Sequence, residues 1–210
     1  MGREEILKRI RTALGDRQRS DADEAALAER IAARPAGPKV HLDSDLLSTF
    51  FAKAAANNFT IERVASLQML PPAVRALLPR DETPDISVAP ALSPVEWPSD
   101  WRITRGAGRP VEHLSVTPAL AGIAETGSVV LASGPDSPTS LNFLPDLHVV
   151  VLRASDIVAH PEDVWRRMQR ETWPRTVNVI SGPSRTADVG GIIVRPAHGP
   201  KRVHLVIVDA

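Results

Sequence analysis

Cysteine is absent from the 210 residues. That absence excludes disulfides, thiolate-bound zinc, iron–sulfur clusters and a cysteine nucleophile together. An excess of one charge is missing too, since 25 lysines and arginines balance 25 aspartates and glutamates. Bulk electrostatics therefore gives no support for binding nucleic acid or a membrane surface. No window approaches the ~18 consecutive apolar residues of a membrane-crossing helix. The opening Met1-Gly2-Arg3-Glu4-Glu5-Ile6-Leu7-Lys8 is charged and amphipathic, unlike the apolar core of a secretion signal, so the expected location is the cytoplasm. The chain also lacks a Walker A loop, a G-x-G-x-x-G after a strand, a G-x-S-x-G elbow and H-E-x-x-H or H-x-H spacing. Its six histidines form no metal motif.

What is present predicts an N-terminal helical arm over residues 1–38 and one α/β domain over 39–210. Ile6, Ile10 and Leu14 make a narrow apolar stripe on a first helix, and Asp21 to Ala33 reads as a second. Such an arm can pack as a lid on its own domain, or serve as an oligomerisation or partner-docking arm. Asp43 or Ser44 can cap a helix reaching Asn57, with Leu46, Leu47, Phe50, Phe51 and Ala54 on one face. Strands are expected at 59–64, 85–89, 113–117, 128–133 and 147–152, with two more buried strands at 176–181 and 203–208. Helices are expected at Leu67 to Leu78, Pro118 to Ala124 and Pro161 to Arg170. Trp97 and Trp101, in the proline-punctuated stretch 90–112, read as packing residues. Strands alternating with helices predict a three-layer α/β sandwich around a mostly parallel central sheet.

In such sheets ligands bind beyond the carboxyl ends of the strands. Three segments rich in glycine and hydroxyls are candidates for that position: 124–128, 133–140 and 181–188. In the last, a strand stops in Ser181-Gly182-Pro183-Ser184 and hands over to Arg185, Thr186 and a segment that can open as a helix. Backbone N–H groups, hydroxyls and a guanidinium then converge on a place for an anion. The same four residues can equally form an ordinary β-turn. Arg185 is the sharpest residue, because a guanidinium at a helix start opposes the dipole unless it faces a carboxylate or phosphate. Its alternative is a salt bridge to Asp188 or Glu125. Glu125 beside Thr126-Gly127 can be a nucleophile or general base, or a surface acid at a glycine-ended helix. His198, in the turn His198-Gly199-Pro200, is the histidine best placed to face a cleft, and the others read as structural.

The order and spacing of Ala124-Glu125-Thr126-Gly127-Ser128, Leu144-Pro145-Asp146-Leu147-His148, Ile180 through Asp188 and His198-Gly199-Pro200 resemble the LUD-domain family over residues 113–208. The resemblance implies a fold like that of CoA transferases, ribose-phosphate isomerases and formyltetrahydrofolate cyclo-ligases. It also implies a part in oxidising L-lactate to pyruvate beside partner subunits that carry iron–sulfur clusters. A chain without cysteine fits a division of labour in which this component holds no cofactor. The candidate ligand-binding set is Thr126, Gly127, Ser181, Gly182, Ser184, Arg185, Thr186 and His198, with Glu125 the catalytic candidate and a small carboxylate or phosphate the ligand. An independent CoA-transferase-like or cyclo-ligase-like enzyme, acting on an acyl or phosphorylated small molecule, is the alternative.

Overall fold

The computed structural model describes residues 2–15, 20–33, 37–107, 113–168, 173–186, 191–194 and 196–209. Two compact units emerge, Met1–Lys39 and Val40–Ala210. In the first, α1 spans Arg3–Leu14 and α2 spans Asp21–Ala33, and neither buries a residue. Each helix starts with acids and carries an arginine in its last turn, which suits the macrodipole. Ser20 and Asp23 cap α2 reciprocally: the Ser20 amide donates to the Asp23 carboxylate at 3.1 Å, and the Asp23 amide donates to Ser20 Oγ at 3.2 Å.

The second unit is built on a six-stranded sheet whose paired strands all run parallel. Its strands are β1 (Thr60–Val64), β2 (Asp85–Val88), β3 (Arg102–Arg105), β4 (Leu114–Pro118), β7 (Leu147–Arg153) and β10 (Arg202–Val208). The order across the sheet is β1-β10-β7-β4-β2-β3. Central strands of such a sheet are covered on both faces, and β7 and β10 accordingly read as apolar runs, each interrupted only by one buried histidine, His148 and His204, between its terminal arginine and the far end. Leu147, Val149 and Val151 of β7 enter one core together with Leu70 and Val74 of α4 (Leu70–Ala76). Val150 and Leu152 enter another with Phe50 and Ala54 of α3 (Leu46–Ala56). Trp97 and Trp101 pack against the edge of the first core, with ring centroids 5.6 Å apart.

A smaller second sheet covers part of the α3 side. It comprises β5 (Ala121–Ile123), β6 (Ser128–Ala132), β8 (Ile157–Val158) and β9 (Val177–Ile180), in the order β8-β5-β6-β9. Val129 and Leu131 face the α3 core. Ile123 and Val130 face a third core with Val164 and Met168 of α6 (Pro161–Met168). The mostly parallel central sheet of an α/β fold is thus as expected, and the smaller mixed sheet, in which β5 pairs parallel with β8 and antiparallel with β6, is an addition.

Several local expectations are corrected. The helix expected over Pro118–Ala124 does not form. Pro118 closes β4, past the last pairing with β2, so on that side its missing N–H costs no ladder bond. Ala121–Ile123 pairs instead with β6, and a Cβ on Gly122 would stand 2.7 Å from Leu152 Cδ2. Close packing of this segment on the core outweighs the helix-start signal of the proline. The cap of α3 is Asp45, not Asp43 or Ser44. Its carboxylate accepts from the Ser48 amide at 3.0 Å, and the Ser48 hydroxyl is the main cause of its lowered pKa. The strand expected to be buried at 176–181 is half-exposed at the end of the smaller sheet, with Val179 51% accessible. Of the helix expected after Thr186, residues 187–190 lie outside the described set. Residues 191–194 are not helical, and Val194 returns as an antiparallel bridge to Thr186. Among the described residues, no helix is long and apolar enough to cross a membrane.

Candidate functional site

The site grows from the end of α3. Asn57 closes that helix, and its Nδ2 donates to the Thr126 carbonyl at 2.8 Å. Its own carbonyl lies against Gly182, where a Cβ would approach to 2.2 Å. Gly182 has φ +111°, and Gly127, with φ +65°, packs onto the backbone of Lys53 and Ala54. Two glycines with positive φ therefore let two loops close on one helix end. A hydroxyl chain joins those loops: Thr126 Oγ1 donates to Ser128 Oγ at 2.8 Å, and Ser128 Oγ lies 2.7 Å from Ser181 Oγ.

Beyond Gly182 the chain meets the turn at Ala197–Pro200. Ser184 donates its amide to the Pro200 carbonyl at 2.9 Å. Its Oγ accepts from the amides of Ala197, at 3.2 Å, and His198, at 3.1 Å. A hydroxyl that accepts two N–H bonds is polarised, and its own proton remains to be donated. Ser181, Gly182, Ser184 and His198 line one cavity of about 400 Å³, closed on another side by Asn142 and Phe143. Asn142 is 1% exposed, and its Oδ1 has no hydrogen-bond partner.

A second cavity, of about 200 Å³, shares Val179 and Ser181 with the first. Thr126 and Ser128 contribute the other hydroxyls of its wall, and Ile123, Val130, Val164 and Trp165 make it apolar.

Segments 124–128 and 181–184 thus meet, but the 133–140 segment lines neither cavity. It follows the other end of the sheet, where Asp136 accepts the Ala91 amide just past β2. The large cavity is bounded by Val203, near the amino end of β10, rather than lying beyond the carboxyl ends. The crevice at the carboxyl ends of β4 and β7 holds only about 140 Å³, beside Pro118, Arg153 and Asp156.

Arg185 is exposed and lines neither cavity; its Nη2 would stand 3.6 Å from a Cβ placed on Gly182. Thr186 turns into the bridge with Val194. Glu125 holds His160 Nδ1 at 2.8 Å, not Arg185, and lines neither cavity. Glu125 lies in the β5–β6 turn rather than at a helix end. Sequence reasoning missed His160 and Asn142. The signal for His160 was its place before Pro161, where its amide donates to Asp163 Oδ2 at 3.0 Å as a helix start. Among the described residues no group of three or more histidines and acids could hold a metal.

Two histidines are structural, as expected. His148 is fully buried, with Nε2 2.7 Å from Thr117 Oγ1, and burial pushes its pKa down to about 3. His204 Nδ1 lies 2.8 Å from Thr60 Oγ1, and burial with the nearby Arg202 takes its pKa to about 4.

A parallel α/β sheet carrying a small mixed annex, with a cleft built from loops at the annex, defines the class. Residues 113–208 match the LUD domain model. It is 37% identical over 102 residues to the uncharacterized protein YkgG of Escherichia coli K12. It is 33% identical over 101 residues to lactate utilization protein C of Halalkalibacterium halodurans. Each alignment covers 46% of this chain and 44% of the relative, so the chain spans under half of those proteins. A DUF162 family protein from Deinococcus radiodurans shares the fold, with TM-score 0.55 and 21% identity over 80% of this chain and 99% of that one.

Proposed function

We propose that this chain is a non-redox component of a lactate-utilisation system, holding an anionic group in the Ser181–Ser184 cavity. The observation that carries the reading is the Ser184 hydroxyl, polarised by two backbone amides at the cavity wall and left with a proton to donate. His198 stands beside it as a second donor. Relatives that bear the name lactate utilization protein C support the metabolic context. The lack of cysteine in this chain fits a system whose iron–sulfur clusters sit on partner subunits.

The independent CoA-transferase-like reading needs Glu125 as a free nucleophile. Its engagement by His160 and its position outside both cavities weigh against that role.

Two measurements test the proposal. Ser184→Ala removes a hydrogen bond to a charged group, about 1.5–3 kcal/mol, so affinity for a carboxylate should fall at least about tenfold by calorimetry. Co-purification with cysteine-rich lactate-oxidising partners should succeed. A chain that binds no carboxylate and ignores those partners contradicts the reading.

A further inference from the structure

The two cavities share Val179 and Ser181 and differ in chemistry on either side of that shared wall. The larger one has the polarised Ser184 hydroxyl and His198; the smaller one is walled by Ile123, Val130, Val164 and Trp165. A three-carbon hydroxy acid occupies only a fraction of such a space, because clefts of ~300–1,000 Å³ hold drug-sized ligands. Trp165 is 39% exposed, and it stacks on Trp173 with centroids 6.4 Å apart and an interplanar angle of 22°. An exposed aromatic pair beside an apolar chamber leaves surface that a ligand group would cover.

We propose that the natural ligand of this cleft is a carboxylate bearing an apolar substituent, an alkyl chain or a ring. Its head lies in the larger chamber and its substituent passes Ser181 into the smaller one. The proposal rests on the reading that the larger chamber holds an anionic head. The hydroxyl chain Thr126–Ser128–Ser181 lines the smaller chamber, and Ser181 at its end lines the larger one too. A polar atom next to the carboxylate, such as a 2-hydroxyl or 2-oxo group, can pair with it. Lactate offers the head and that polar atom, but only a methyl group for the apolar chamber.

Calorimetry on the whole chain with acetate, lactate, butyrate, hexanoate and 3-phenyllactate tests this. Burying each added methylene should tighten binding up to about fourfold until the chamber is full. Hexanoate tighter than 3-phenyllactate assigns an alkyl substituent, and the reverse assigns a ring. Trp165→Ala should flatten the dependence on substituent, weakening hexanoate and 3-phenyllactate more than acetate. Ser184→Ala should weaken the whole series alike. The wild-type series needs no variant to fold. If acetate and lactate bind as tightly as the larger acids, or if Trp165→Ala leaves the dependence intact, the two-part ligand is wrong and the anionic-head reading stands. If no carboxylate binds, both fall.

Discussion

Gly182→Ala is expected to destabilise the protein by about 2–5 kcal/mol and to abolish carboxylate binding. The backbone there has φ +111°, and the new Cβ would stand 2.2 Å from the Asn57 carbonyl oxygen. Positive φ costs an L-residue about 1–2 kcal/mol. Forcing a methyl group into filled space costs about 1–3 kcal/mol more. The sum is a large share of the ~5–15 kcal/mol that holds a domain folded. The obstacle is backbone at the end of α3, so relief requires α3 or the 181–184 loop to move, and that loop lines the cavity. Gly134→Ala is the control, because nothing lies within 4 Å of its Cβ position. It should shift stability by no more than about 0.5 kcal/mol. Urea denaturation of both variants checks this.

Acid should destabilise the fold in a window set by two buried histidines. His148 and His204 have folded pKa values near 3 and 4, well below the ordinary 6.5. Both are bases kept neutral by the fold, and the unfolded chain binds their protons first. Stability is therefore unaffected above about pH 6.5 and falls as pH drops toward the folded values. At pH 5, linkage gives up to about 2 kcal/mol for His148. His204 adds a loss of similar order at that pH, because its folded value of about 4 also lies below 5. In His148→Gln, which can still hydrogen-bond Thr117, the slope of stability between pH 7 and 5 should shrink to what His204 and exposed groups leave. An unchanged slope would show that His148 does not titrate on unfolding.

The parallel core was legible because β7 and β10 are long, rich in β-branched residues and covered on both faces, so their apolar residues do not alternate with exposed polar ones. The first arm helix was legible from its stripe of Ile6, Ile10 and Leu14, and the second from its alanine-rich, charged stretch. The smaller sheet was not. Three residues of β5, one of them glycine, are too few to display a two-residue period, and their strand state comes from pairing with β6. The residue types of the cleft were readable in Ser181, Gly182, Ser184 and His198. Its place at the annex was not, because it depends on α3 ending where two distant glycine loops can close on Asn57. Asn142 gave no signal because its role is set by burial alone.

Amide chemical-shift mapping during a titration with L-lactate, used as a probe of the anionic head, tests the account most directly. Saturable shifts centred on Ser181, Gly182, Ser184, His198 and Gly199, and lost in Ser184→Ala, are the predicted result. The contradicting result is saturable shifts at Leu92, Ala119 and Arg153, around the crevice at the carboxyl ends of the strands, with the Ser181–Ser184 amides unmoved.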